Sequence, residues 1–237
     1  MNLRSTPDPD PGPAAPQALR VHYAAELDQL RLQVEVMALR VDQNLERMST
    51  VLETGDPVLA STARAADDDI DAMSVSLTER CHDILAREQP VARDLRFVVS
   101  VLRVLGEFER VGDLSLRVVN ACDDHHLLRV NDTTFGLLLD LASAAVERYR
   151  AAAAAWAAES ADAARLLLAA PSRADVLEAR LTSEVLRVSG SDAAPIVVRT
   201  LEAGRALERI ADHGGIIASR LLFLVTGDAG HLAGEVR

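Results

Sequence analysis

The 237-residue chain carries 25 basic and 36 acidic residues, and its formal net charge of −11 repels nucleic-acid phosphates and anionic lipid surfaces alike. Hydrophobic residues make up 49% of the chain but aromatic residues only 3%, so its core must be built from Leu, Val, Ile and Ala. This composition favours helices packed on helices over an all-β fold. An all-α protein is therefore predicted, with no nucleic-acid partner.

Neither end of the chain carries an apolar segment long enough for a secretory signal or a membrane span. Residues 1–18 are rich in proline and lack the apolar stretch of a secretory signal, so they predict a disordered tail. The apolar run at 221–225 is too short to cross a bilayer. Cys81 and Cys122 lie far apart, without the spacing of a metal knuckle, and are interpreted as buried apolar groups. We expect a cytoplasmic protein with no membrane insertion.

Three amphipathic helices are predicted in the first half of the chain. The first covers about residues 21–52, where apolar residues recur at every third or fourth position. It ends at the sequence TGDPV, in which Asp56 is predicted to cap the second helix and Pro57 to occupy its first position. A third helix follows, and its predicted apolar stripe contains two carboxylates, Glu109 and Asp113.

The same pattern restarts in the second half. The sequence DDHHLLRVNDTT is interpreted as a loop that ends in a helix cap, with His125 and His126 exposed to solvent. Pro171 is predicted to interrupt or kink the fifth helix, and Gly227 to end the sixth. The predicted helices cover about residues 135–158, 160–186 and 194–225.

Long helices joined by short connections run antiparallel, so each half predicts a three-helix bundle, with the two bundles side by side. The fold class is thus all-α, with two tandem three-helix bundles and six long helices. The predicted organisation is a disordered tail at 1–18, a first repeat at 19–124, a second repeat at 132–227 and a C-terminal tail at 228–237.

Two acidic motifs recur in the same order in both halves. EFERVGD at 107–113 is echoed by ALERIAD at 206–212, on the last helix of each half. DDDID at 67–71 is echoed by ADVLE at 174–178, on each middle helix. The repeat matches Glu109 with Glu208, Asp113 with Asp212, Asp68 with Asp175, and Asp71 with Glu178.

Carboxylates four residues apart lie one turn apart on the same helical face, where like charges repel unless a cation or an arginine compensates them. One interpretation is a metal site on each half, and such oxygen-rich ligation suits divalent or iron cations rather than zinc. The other is that these acids only pair with neighbours such as Arg110 and Arg209. His213 could be a further ligand, although a lone histidine is more often structural. The eight candidate ligands are Asp68, Asp71, Glu109, Asp113, Asp175, Glu178, Glu208 and Asp212.

Four motifs follow one another along the chain: LAREQPVARDLR at 85–96, EFERVGD in the first half, and LERIADH with a trailing FLVTG in the second. Together they resemble the PhoU family of phosphate-uptake regulators. The resemblance implies a duplicated three-helix-bundle protein, commonly a homodimer, with multinuclear metal clusters on the repeated acidic faces. It also implies two partners, the ATPase subunit of a phosphate transporter and a sensor histidine kinase.

The chain departs from the family pattern one turn beyond each motif. Arg117 and Ile216 stand where an asparagine is usual, and Asn120 and Ser219 where a glutamate is usual. These changes predict weakened metal binding. Because Arg117 can neutralise the first acidic face, the second face is expected to be the better metal site.

No glycine-rich phosphate loop or nucleophile elbow occurs in the sequence. The hypothesis that the resemblance implies is a non-enzymatic regulator that docks to the transporter ATPase or the kinase and represses the phosphate-starvation response when phosphate is plentiful. Such a role would explain why these catalytic motifs are missing. The alternative is a metal-binding helical protein with a storage or metalloenzyme role.

Overall fold

The structure, a computed structural model, describes residues 14–235, with side chains from residue 21 to residue 233. These residues contain no β-strand, which confirms the all-α fold class. Short 3-10 segments occupy Cys122–Asp124 and Ala229–Glu235. The α-helices of the described residues are α1 (Ala14–Thr54), α2 (Pro57–Glu88), α3 (Ala92–Ala121), α4 (His125–Leu128), α5 (Asp132–Ala157), α6 (Ala161–Ala169), α7 (Arg173–Val185) and α8 (Ala193–Thr226).

The long helices form two three-helix bundles that share one core. Helices α1, α2 and α3 pack on one another, and α5 and α8 form the second bundle with α6 and α7 as its divided middle helix. The bundles meet where α3 lies along α8 and α1 lies along α5. The buried apolar side chains form a single continuous cluster across this interface, so the two halves fold as one body.

Helices α3 and α8 run antiparallel along their whole length. The Arg96 side chain, near the start of α3, donates to the backbone oxygen of Leu224 near the end of α8 at 3.3 Å. At the other end, Asp124 accepts from Arg199 at 3.0 Å. This pairing brings the motif-bearing helix of each half against that of the other.

The predicted capping signals are present. The Asp56 carboxylate accepts from the backbone N–H groups of the next helix's first turn, with Pro57 as its first residue. Asn131 caps α5 in the same way. Gly227 ends α8 in the left-handed conformation, with φ of 76°.

The termini differ in part from the prediction. Residues 14–18 belong to α1 instead of a disordered tail, because Pro16 falls in the first helical turn, where proline is tolerated. The rest of the predicted N-terminal tail, residues 1–13, lies outside the described residues. In the C-terminal tail, residues 229–235 form a 3-10 segment and 236–237 are not described.

The predicted interruption at Pro171 is a complete break. Ala170 is extended, with φ of −74° and ψ of 135°, as a residue before proline tends to be. Ser172 then caps α7 by accepting from the Asp175 backbone N–H at 3.3 Å. The fifth predicted helix is therefore two helices, and Asp175 lies in the first turn of the second.

The segment between the bundles is more ordered than predicted. Instead of a plain loop it contains a 3-10 turn and the one-turn helix α4. His126 is exposed as expected, but His125 is half-buried, with its Nε2 atom 3.0 Å from the backbone oxygen of Leu52 and its ring edge-on to Phe135. The prediction that His125 is solvated was wrong.

The buried side chains match the composition. The core consists mainly of Leu, Val, Ile and Ala, and Cys81 and Cys122 are buried within it as free thiols. Burial raises the pKa of both thiols to about 12, so neither is ionised at neutral pH. The Tyr149 hydroxyl donates to the backbone oxygen of Ala38 at 2.8 Å and so ties α5 to α1. Among the described helices, none is long and apolar enough to cross a membrane.

Candidate metal faces

The predicted ligands lie on two surfaces, one on each bundle. The first acidic face, defined here as Asp67, Asp68, Asp71, Glu109 and Asp113, lies where α2 packs on α3. The second acidic face, defined as Asp175, Glu178, Glu208 and Asp212, lies where α7 packs on α8.

Glu109 and Asp113 were placed by sequence in the apolar stripe of α3, and this placement was wrong. Both are exposed, whereas the buried side of α3 carries residues such as Val104, Phe108 and Val111. The carboxylates lie at the edge of the helix that faces α2, where water reaches them.

The second acidic face brings three carboxylates together. One oxygen from each of Asp175, Glu208 and Asp212 lies within 4.8 Å of the others. Glu178 does not belong to this group of three, and its carboxylate instead accepts from the Thr182 hydroxyl at 2.9 Å. Three of the four ligands predicted for this half are thus assembled.

The break at Pro171 positions the first of these carboxylates. Asp175 occupies the first turn of α7, where the positive end of the helix dipole favours a negative charge. Glu208 and Asp212 follow one turn apart on α8. The three side chains therefore reach one point from two helices.

The electrostatics of this face suit a cation. Burial raises the pKa of Glu208, and the neighbouring charges of Asp212, Glu178 and Asp175 raise it further, while Arg205 lowers it. A bound cation would relieve this repulsion, and an all-oxygen donor set is the one that hard cations prefer. The residues present therefore fit a cation of this class.

The first acidic face contains a carboxylate that the sequence interpretation missed. Asp67 is only 5% exposed, and its Oδ1 atom has no hydrogen-bond partner among the described residues. Burial, followed by repulsion from the other four carboxylates of the face, raises its pKa from 3.8 to about 7. The Oδ1 atom occupies space left by Gly112, where an added Cβ would come within 2.6 Å.

The other carboxylates of the first face are spread out. Burial and the charges of Glu109, Asp113 and Asp68 raise the pKa of Asp71. Glu109 accepts from the Ser74 hydroxyl at 3.0 Å. Within the described residues, no three potential ligand atoms of this face approach as closely as those of the second face. The described carboxylates of the first face thus form no convergent group, and the metal site predicted there stays a prediction.

The arginines near the motifs do not compensate these faces as expected. Arg110 pairs with Glu107 at 2.8 Å, not with Glu109 or Asp113. Arg117 forms no ion pair with any described residue, so the neutralisation of the first face predicted for it is not seen. Ile216 lines a cavity between α3 and α8.

The His213 side chain lies in the interface between the two bundles and not on the second acidic face. It is 6% exposed, and its Nδ1 atom lies 2.6 Å from an oxygen of Glu107, which is also buried. This contact joins α8 to α3. The structural interpretation of His213 is the one the geometry supports.

The two buried acids that the sequence analysis missed, Asp67 and Glu107, are both spaced three residues from a buried apolar residue. Asp67 lies three residues before the buried Ile70, and Glu107 lies three residues after the buried Val104. A charged residue at such a core-facing position has to find a partner or change its protonation state. The helical spacing alone could have drawn attention to both.

Together these features define a class: a duplicated six-helix protein whose two bundles share one core and carry acidic faces at equivalent helix pairs. The PhoU domain model matches residues 34–122. The chain is 27% identical over 210 residues to the phosphate-specific transport system accessory protein PhoU homolog 1 of Thermotoga maritima, covering 87% of this chain and 90% of that protein. It is 29% identical over 217 residues to the PhoU homolog of Pseudomonas aeruginosa, covering 89% and 88%.

The fold agrees with these sequence matches. The crystal structure of PhoU from Pseudomonas aeruginosa superposes with a TM-score of 0.82 at 27% identity, over 87% of this chain and all of that chain. The chain is thus similar to PhoU proteins in sequence and in fold over most of its length, and residues 34–122 match the PhoU domain, as the repeated motifs indicated.

Proposed function

We propose that this protein is a regulator of phosphate transport and of phosphate-starvation signalling. The observation that carries the proposal is the similarity to phosphate-specific transport system accessory proteins over about nine tenths of their length, in sequence and in fold. A shared fold alone is a weak guide to function, but here the similarity extends to the amino-acid sequence over most of the chain.

The proposed mode of action is docking in the cytoplasm, without catalysis. The partners are the ATPase subunit of a phosphate transporter and a sensor histidine kinase. Two bundles that share one core offer rigid helical faces, and rigid surfaces lose little conformational entropy on binding. Docking of the protein restrains uptake or starvation signalling when phosphate is abundant.

Deletion of the gene in its host tests this proposal. We expect phosphate-scavenging genes to be expressed in high phosphate, or phosphate to accumulate in excess, and an intact copy to restore repression. Pull-down from cell extract with the tagged protein should recover the transporter ATPase or the kinase. A deletion that changes neither uptake nor the starvation response, in a host without a second copy, would overturn the proposal.

A homodimer is proposed through the outer side of α1. Leu32, Val36 and Leu39 are 60%, 40% and 56% exposed and lie at helical spacing, so they form an apolar ridge. Beside Leu39 is a groove whose lining includes several alanines of α5. A ridge next to a groove can match its own copy across a two-fold axis. Light scattering should show a dimer that Leu39→Asp converts to a monomer.

A cation on the second acidic face is the other proposed feature. Its support is the convergence of Asp175, Glu208 and Asp212 and the raised pKa of Glu208. A hard divalent or iron cation there would neutralise the face and bind its carboxylates more tightly as Glu208 loses its proton. The storage or metalloenzyme role has no further support from the site, since catalysis also needs acid–base or redox partners.

A further inference from the structure

A cavity of about 200 Å³ lies between α3 and α8, apart from both acidic faces. Its polar lining comes from both bundles. Residues 103, 107 and 110 follow one another along a single face of α3, and residues 216 and 220 along a face of α8. The lining residues are Arg103, Val104, Glu107, Arg110, Ile216 and Arg220.

The charge of this cavity is opposite to that of the chain. Three of its six lining residues are arginines and one is acidic, whereas the whole chain has a net charge of −11. The single carboxylate, Glu107, is engaged through both oxygens, by Arg110 at 2.8 Å and by His213 at 2.6 Å. Its negative charge is therefore largely compensated within the wall.

The arginines differ in how they are held. Arg220 is 6% exposed, with its guanidinium 5.8 Å from the centre of the Phe223 ring, so the protein fixes its position. Arg103 is exposed and forms no hydrogen bond or ion pair with the described residues. One buried guanidinium and one exposed guanidinium in the same lining suit the capture of an anion from solution.

We propose that this cavity binds a small phosphate anion, orthophosphate or pyrophosphate. Guanidinium groups donate in a fork that matches phosphate oxygens. A cavity of about 200 Å³ is smaller than the sites of drug-sized ligands, so a whole nucleotide does not fit inside it. Because its walls belong to both bundles, the bound anion also bridges them. The physiological meaning rests on the proposed function, but the binding itself does not.

Titration calorimetry of the full chain with orthophosphate and with pyrophosphate tests the proposal. A chelator is present throughout, so that metal-bridged phosphate on the acidic faces does not contribute. We expect one saturable site per chain, and Arg103→Gln and Arg110→Gln each to weaken binding roughly tenfold or more. Arg103→Lys keeps the positive charge but lacks the forked donor geometry of the guanidinium. It should therefore lose less anion affinity than Arg103→Gln. Whichever of the two anions binds more tightly identifies the ligand.

Arg117→Gln is the matched control, since Arg117 is an exposed arginine of the same helix that does not line the cavity. Its affinity should equal that of the unmodified protein. Thermal unfolding gives a second measurement, because at a given anion concentration tighter binding to the folded protein produces a larger rise in Tm. General salt effects would raise Tm equally in all variants.

No saturable binding of either anion, or equal binding by the Arg103→Gln and Arg110→Gln variants, would overturn the proposal. Neither outcome bears on the gene-deletion experiment, which tests regulation in the cell. The two experiments therefore distinguish a failure of phosphate binding from a failure of the proposed regulatory function.

Discussion

The two acidic faces carry equivalent motifs of the repeat, but their carboxylates are arranged differently. On the second face, three carboxylates converge at the surface. On the first, the exposed carboxylates stay apart while a further one, Asp67, is buried beneath them. By the repeat, Asp67 corresponds to Ala174 and Gly112 to Ala211, and both alanines are buried. One half thus fills this part of its helix interface with two small apolar residues, and the other fills it with a carboxylate against a glycine.

This difference shows that equivalent motifs in the two halves of a repeat can have different chemical properties. Because the pKa of the buried Asp67 is raised to about 7, the charge of the first face changes near neutral pH. The second face has no such buried acid, and its convergent carboxylates favour a cation instead. Substitutions on the two faces test this difference.

Asp67→Asn should have the largest effect. The raised folded-state pKa of about 7 means that Asp67 destabilises the fold when ionised: this penalty is absent below the unfolded pKa near 4, grows as pH rises toward 7 and is constant above it. We expect Asn to raise the free energy of unfolding by roughly 2 to 4 kcal/mol at pH 8 and by less at pH 5. Urea unfolding with chelator present measures both values.

Asp69→Asn is the control for this prediction, because Asp69 is an exposed acid of the same helix. It should change stability little at either pH. An equal gain from Asp67→Asn at pH 5 and pH 8 would contradict ionisation as the cause.

Gly112→Ala should destabilise the first bundle by about 2 kcal/mol, because the new Cβ would lie 2.6 Å from the Asp67 oxygen. Combining it with Asp67→Ala recreates the alanine pair of the second bundle. The double variant should recover the loss, which a double-mutant cycle in urea measures as a coupling energy. Additive effects of the two substitutions would show that the glycine and the carboxylate do not depend on each other.

Glu208→Gln should weaken binding of Mn²⁺ or Mg²⁺ roughly tenfold or more, since it removes one of three convergent carboxylates. Glu109→Gln, the equivalent change on the first face, should have little effect. Elemental analysis of purified protein and titration of metal-free protein measure the two. Equal losses in both variants would place metal on both faces, and unchanged metal content in both would place it elsewhere.

The same titration should depend on pH. Because the pKa of Glu208 is raised, cation affinity should increase as pH rises through that pKa, and the Glu208→Gln variant should lose this part of the dependence.

Ser172→Ala should have the smallest effect, about 1 kcal/mol of stability, because it removes the cap of α7. The first bundle has no equivalent break, since α2 is continuous. Any accompanying loss of metal affinity would show that the cap also positions Asp175. Unchanged stability would indicate that packing on α5 and α8 is enough to hold α7 in place.

Much of the architecture follows from local patterns. The stripe of α1 from Leu27 to Leu52 is buried as its spacing predicts, and Asp56 and Gly227 cap the start of α2 and the end of α8 where expected. Such signals act within one or two helical turns, so they can be read without knowing the rest of the fold. The order of the acidic motifs likewise indicated the repeat and the family.

Placement across helices could not be read in this way. Glu109 and Asp113 share a face with apolar residues when spacing alone is considered, yet the position of α2 leaves them exposed. The pairing of Glu107 with His213 joins residues that are far apart in sequence and depends on how α3 lies along α8. The composition and the helical spacing thus determined the helices, their ends and their duplication, because these depend on local interactions. Which carboxylates converge, which are buried, and how three arginines come to line one cavity were decided only by packing between helices, because a small rotation of one helix changes every neighbour of its side chains.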